Sequence, residues 1–167
     1  MAKKKHQLKL VTLPSENLRK PSEKVRFPLP RDFQHLIDEM IRVCRKHKGI
    51  GLAAPQVGIN IKLAIINLEE YGVKPFPLIN AEIKGRSIKK IEAEEGCLSI
   101  PGKFAFVKRP EKVDVKAQNF EGKVLEFKAG GLLSRVIQHE IDHIDGILFV
   151  DHLPKKQREE LTKVFYS

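Results

Sequence analysis

Along the first thirty residues the apolar positions follow no helical period. Leu8, Leu10, Thr12 and Leu13 alternate briefly among four prolines, which predicts an extended arm and loops over Met1 to Pro30. From Asp32 the pattern changes, with Phe33, Leu36, Ile37, Met40, Ile41, Cys44 and His47 recurring at three and four, the period of a helix with one buried stripe. Asp32 is placed to cap its start and Gly49 to end it. Cys44 falls on the core stripe, and His47, between Lys46 and Lys48 at the C-terminal end, suits a solvated position favourable to the helix dipole. Ile61 to Leu68 is rich in β-branched residues and reads as a buried strand, followed by a loop with Pro75 and Pro77, a short strand at Leu78 to Ile83 and another at Ile88 to Ala93. Between Val107 and Phe127 polar and apolar residues alternate on either side of Asn119 to Gly122, which predicts a hairpin with one buried face. Gly130 and Gly131 open a last clear helix. Its Leu132, Leu133, Val136, Ile137, Ile141 and Ile144 are apolar nearly all round, as in a helix inserted into a core, and Gly146 ends it. Pro154 to Ser167 reads as a short basic helix.

At 167 residues and 41% hydrophobic composition the chain suits one globular domain, residues 1–167, with a core that needs no disulfide staples. No apolar run reaches membrane-spanning length, and the opening M-A-K-K-K-H-Q-L-K-L has no apolar segment of the secretory kind, so a cytoplasmic protein is expected. Cys44 and Cys97 are then reduced, each a free thiol or a metal ligand. The net charge of +10 invites a polyanionic partner, but the lysines are scattered through Lys3 to Lys5, Lys84 to Lys90, Lys103 to Lys128 and Lys155 to Lys163, with no nucleic-acid motif. A solvated basic surface accounts for them equally well.

Candidate chemistry changes that picture at two places. Gly49 to Gly58, G-I-G-L-A-A-P-Q-V-G, holds three glycines, two alanines and a proline, which lets main chain approach something closely. Gln56 is the one side chain there that both donates and accepts hydrogen bonds. In Q-H-E-I-D-H-I-D-G, Gln138 to Gly146, His139 and His143 stand four apart, so on a helix they leave one face about 40° apart. Two imidazoles so placed can hold one metal, and Glu140 can reach a water there without being a ligand, the H-E-x-x-H logic of metal-assisted hydrolysis. A buried helix must satisfy its polar groups, and a metal accounts for the histidines. A catalytic metal takes about three protein ligands. The third could be Cys97, Asp142, Asp145, Glu94, Glu95 or His152.

Three strings, G-I-G-L-A-A-P-Q at 49–56, E-G-C-L-S at 95–99 and Q-H-E-I-D-H at 138–143, together resemble the three motifs of peptide deformylases, in order and at similar separations. The resemblance covers essentially the whole chain. It implies an α+β fold whose antiparallel or mixed sheets partly wrap a central helix carrying the H-E-x-x-H sequence. It implies hydrolytic removal of the formyl group from the N-terminal methionine of nascent chains, with release of formate. Carried onto this sequence, the metal ligands would be Cys97, His139 and His143, the acid/base residue Glu140, and the donors to a developing oxyanion the Gln56 amide and the Leu98 backbone N–H. Ile50, Gly51 and Gly96 would contact the substrate main chain. Ile50, Glu95, Leu132, Val136 and the apolar part of His139 would form the methionine pocket, with Arg135 at its rim. The resemblance also implies one divalent ion, Fe(2+) natively, with Zn(2+), Ni(2+) or Co(2+) as substitutes. The partners it suggests are N-formyl-methionyl nascent peptides and, through the basic tail Lys155 to Lys163, the anionic ribosome. Two other classes compete: a zinc endopeptidase built on the same helix, and a ribosome-binding protein without activity.

Overall fold

The computed structural model describes residues 7–166; the basic run Lys3 to Lys5 and the first residues of the expected N-terminal arm lie outside them. The architecture is α+β, with strands β1 (Gly51–Ala53), β2 (Leu63–Leu68), β3 (Val73–Arg86), β6 (Lys112–Gln118) and β7 (Val124–Gly130) forming a five-stranded sheet in the order β1-β2-β3-β6-β7. A separate two-stranded sheet pairs β4 (Lys90–Cys97) with β5 (Ile100–Pro110). Every pairing within the two sheets is antiparallel.

Helix α1 (Phe33–Lys46) packs Phe33, Ile37, Met40, Val43 and Cys44 against Leu52, Leu63 and Ile65 on one face of the large sheet. The stripe is the one its periodicity predicts, but its ends differ. Asp32 makes no side-chain capping bond, and the helix stops at Lys46, two residues before the left-handed turn at Lys48 and short of Gly49. Helix α2 (Gly131–Ile144) lies on the opposite face, where Val136, Ile137, Ile141 and Ile144 meet Ala64, Ile66, Val113, Val115 and Ala117. Its other flank meets β5, to which Gln138 donates a hydrogen bond at Pro110 O, 3.0 Å away. The sheets therefore enclose α2 from two sides. Complete burial of Ile137 and Ile144 stabilises this placement by about 1.5–3 kcal/mol each. Gly146 follows α2 with φ of 77°, and a Cβ there would sit 2.6 Å from Arg19 O, so the chain leaves the helix against the N-terminal arm. Within that arm Leu13 and Leu18 are buried beside Phe149 and Val150, so the arm is a lid on a third core rather than a loose extension.

Three strand expectations need correction. Pro75 and Pro77 lie inside β3, not in a loop. Their segment pairs with β2 alone, because β6 joins only from Ile79 onward, and a proline without an N–H is tolerated on a strand's unpaired edge. The hairpin expected from Val107 is really two pieces: Val107 ends in β5 of the small sheet, and β6–β7 alone form the hairpin around residues 119–123. Ile88, expected to start a strand, is fully exposed before β4 begins at Lys90. The short basic helix of the tail is present as α3 (Lys155–Thr162).

Candidate metal centre

One turn of α2 brings the Nε2 atoms of His139 and His143 to 3.3 Å from each other. Cys97 is the last residue of β4, held at a two-residue turn over Leu98 and Ser99, and its Sγ lies 3.1 Å from His143 Nε2. The three ligand atoms all fall within 4.8 Å of one another. Two nitrogens about 2.0–2.1 Å from one tetrahedral centre would stand about 3.3 Å apart, so the imidazole pair already has the spacing of a shared ion. A thiol and two imidazoles form a borderline-soft donor set suited to zinc, ferrous iron, nickel or cobalt. His139 Nδ1 is 3.1 Å from Glu95 Oε2, the carboxylate contact that commonly orients a ligating imidazole. His143 Nδ1 is buried without a hydrogen-bond partner.

The rival third ligands are engaged elsewhere or turned away. Glu95 accepts from Arg109 Nε at 2.6 Å, from Arg109 Nη2 at 3.0 Å and from Arg135 Nη1 at 2.6 Å. Asp142 binds Arg109 Nη1 at 2.8 Å and His152 Nε2 at 2.7 Å. Asp145 is exposed, Glu94 is exposed at the wall of the cleft, and neither joins the converging group of ligand atoms.

Glu140 projects beside the cluster toward Gly51, where an added Cβ would run into its carboxylate. That contact gives the glycine its reason. The carboxyl is buried, with Oε2 unpartnered, and burial pushes its pKa up to about 7. Burial works against a charged His139, yet hydrogen bonds with Cys97 and Glu95 raise its pKa well above the ordinary value. Burial and the adjacent His139 charge push His143 the other way. Burial likewise opposes the Glu95 charge, but His139 and Arg109 hold that carboxyl far below the usual range. Gln56 Oε1 accepts from Ala53 N at 2.9 Å, which turns its amide nitrogen toward Ser99 Oγ at 3.1 Å and Cys97 Sγ at 3.5 Å.

The cluster opens into a cleft of about 820 Å³. All the residues expected to touch substrate line it: Ile50, Gly51, Gln56, Glu95, Gly96, Leu98, Leu132 and Val136, with Arg135 among them. Ile50 and Leu132 are more than a third exposed at its rim, whereas Val136 and Glu95 are buried in its wall. Sequence reasoning gives no site role to Arg109 or Ser99, nor to His47, Lys48, Lys103 and Phe104 at the mouth. Arg109 does carry a signal: with Ala105 and Val107 it occupies the inward parity of β5, where a charge requires partners.

A polypeptide deformylase family model matches residues 7–159. A peptide deformylase of Bartonella tribocorum is 42% identical over 160 residues, spanning 93% of this chain and 89% of the relative. One of Thermodesulfovibrio yellowstonii is 43% identical, spanning 95% and 96%. The crystal structure of a peptide deformylase from Legionella pneumophila superposes with a TM-score of 0.86 at 39% identity, covering 93% of this chain and 91% of that one. A Synechococcus elongatus peptide deformylase solved in complex with actinonin gives 0.87 at 38%, covering 98% and 89%.

Proposed function

The chain belongs to the peptide deformylase family and removes the N-formyl group from nascent polypeptides, and from that premise we propose which of its residues do the work. The observation that carries the assignment is the convergence of Cys97, His139 and His143 within 4.8 Å, beside the buried Glu140 and at the base of a cleft. These three residues hold one divalent ion, ferrous iron natively, with zinc, nickel or cobalt able to replace it. Such an ion supplies Lewis acidity toward the formyl carbonyl and lowers the pKa of water in the site.

Glu140 takes the proton of the attacking water and returns it to the departing amine. As the formyl carbon becomes tetrahedral, negative charge gathers on its oxygen, toward which the Gln56 amide and the Leu98 N–H donate. Loss of one such donor costs about 10²- to 10³-fold in rate. Gln56 is prepared for this by the Ala53 bond, which fixes the orientation of its amide. The peptide lies extended, with its main chain against Ile50, Gly51 and Gly96, as an added strand. Its methionine side chain enters between Ile50, Glu95, Leu132, Val136 and His139.

Residues 1–167 act as a single catalytic domain, since both sheets contribute to one site around α2. No helix among the described residues is long and apolar enough to cross a membrane. We place the activity in the cytoplasm, on chains leaving the ribosome. Lys155, Lys156 and Lys163 are exposed on and just after α3 and suit contact with ribosomal RNA.

Metal-loaded protein prepared without air should release formate from formyl-Met-Ala-Ser, and a preparation that releases none overturns the assignment. Cleavage of internal peptide bonds would support the endopeptidase reading instead. Cosedimentation with ribosomes should weaken with salt and disappear when residues 155–163 are deleted; binding indifferent to both removes the tail from the proposal.

A further inference from the structure

We propose that Arg109 is a positioning residue of the metal centre, whose buried guanidinium sets the separation between the hairpin that carries Cys97 and the helix that carries both histidines. Its side chain is 5% exposed and spans the two elements. Nε and Nη2 grip both oxygens of Glu95, at 2.6 and 3.0 Å, two residues before Cys97 on β4. Nη1 binds Asp142 Oδ2 at 2.8 Å, one residue before His143 on α2. A planar guanidinium bonded on two edges fixes both a distance and an angle, which a flexible ammonium does not.

The two carboxylates pass that constraint onward. Glu95 Oε2 meets His139 Nδ1 at 3.1 Å and so aims the ring whose Nε2 faces the cluster. Asp142 is steadied from outside by His152 at 2.7 Å. The hydrogen bonds of the Arg109 side chain go to Glu95 and Asp142 and not to the three ligands, so its geometric constraint reaches them through those two carboxylates. Stability alone is a poor reason for the arrangement, because a buried ion pair usually gains little over well-packed apolar residues of similar volume. What apolar residues could not do is orient Glu95 and Asp142. Arg135 links α2 to the same hairpin one turn before His139, through Glu95 Oε1, Ile91 O and Val107 O. That second tie should keep the elements associated when Arg109 is altered.

Charge and geometry make opposite predictions. A buried positive charge near a divalent ion repels it, so a merely electrostatic Arg109 would leave metal release unchanged in Arg109→Lys and slow it in Arg109→Met. A positioning Arg109 makes release faster in both. The experiment uses Co(2+)-loaded protein, reading the thiolate and ligand-field absorption bands and the rate of Co(2+) transfer to a chelator. Wild type, Arg109→Lys and Arg109→Met are compared with Arg45→Met, which breaks an exposed arginine pair with Glu69 away from the centre. The expected result is release about 10- to 100-fold faster in both Arg109 variants, with shifted bands, and wild-type behaviour in Arg45→Met. Should Arg109→Met fail to fold, Arg109→Lys decides alone. Wild-type bands and release in Arg109→Lys, or slower release in Arg109→Met, overturn the inference. The inference rests on the metal assignment above, and the two fail differently: wild-type protein that takes up no Co(2+) overturns the assignment, whereas an unchanged Arg109→Lys overturns the positioning role alone.

Discussion

Helices α1 and α2 are each fourteen residues long, pack on opposite faces of the same sheet, and each buries a glutamate. On α1 that glutamate, Glu39, is paired with Arg42, one turn away and more than half exposed to solvent. On α2, Glu140 is more deeply buried and leaves one oxygen without any partner. The rest of each helix follows suit. Helix α1 hides a stripe of apolar residues and turns its other charges outward, whereas α2 also buries Ser134, Gln138 and His143. Ser134 and Gln138 are hydrogen-bonded to each other and to Pro110 O, but Glu140 Oε2 and His143 Nδ1 have no hydrogen-bond partner. Polar burial without compensation costs folding free energy, so it persists where something other than stability requires it. α1 serves the core, and α2 uses the core's shelter for chemistry.

The largest effect that would test this division is on activity. Glu140→Gln should lower the rate of formate release by about 10²- to 10⁴-fold while leaving the melting temperature unchanged or higher, because a buried negative charge is removed with little change of shape. Activity near wild type in that variant would place the proton transfer elsewhere. On α1 the pattern should invert. Met40 is fully buried in the cluster that joins Ile37 and Cys44 of the helix to Leu63 and Ile65 of the sheet. Met40→Ala should cost about 2–5 kcal/mol in urea unfolding, with kcat/KM of the folded protein unchanged. A fall in kcat/KM under conditions where the variant is fully folded would show that α1 also shapes the site.

The same contrast explains what is readable from the residue pattern. Apolar stripes at 3.6 or 2 residues are local, and the buried stripes of α1 and α2 and the turn between β6 and β7 appear where the pattern places them, although the alternation begins at Val107, which belongs to the other sheet. Pro75 and Pro77 mislead because their tolerance depends on which strand edge is unpaired, a property of the sheet and not of the segment. The histidine pair needs only one helical turn to be recognised. Spacing cannot choose the third ligand, since Glu95, Asp142 and His152 are withdrawn from contention only by ion pairs that close across the fold. Arg109, the hub of those pairs, carries no motif; its meaning lies in pointing inward from a strand whose beginning at Ile100 the residue pattern does not mark.

The two cysteines sharpen the comparison at smaller scale. Cys97, in the cleft wall, should react with a thiol reagent in metal-free protein and be protected at least about 10-fold by bound metal, while Cys44, inside the α1 core, should react only on unfolding. Equal labelling of both in folded protein would contradict the burial of α1. Cys44 also makes a prediction about pH. Burial, with the nearby Glu140 charge, pushes its thiol up to about 12 from an ordinary 9.0. Between those values the unfolded chain loses the proton and the folded chain keeps it, so the unfolded state gains charge-state free energy that the folded state does not. The stability this thiol permits is therefore complete below pH 9 and declines as pH rises toward 12. By about pH 10 the loss should be about 1 kcal/mol. Urea midpoints at about pH 8 and about pH 10 for wild type and Cys44→Ala measure it, since the variant lacks the titrating group and should show the shallower decline. Parallel declines would mean that the core around α1 admits solvent to the thiol, and that its difference from α2 is narrower than the packing indicates.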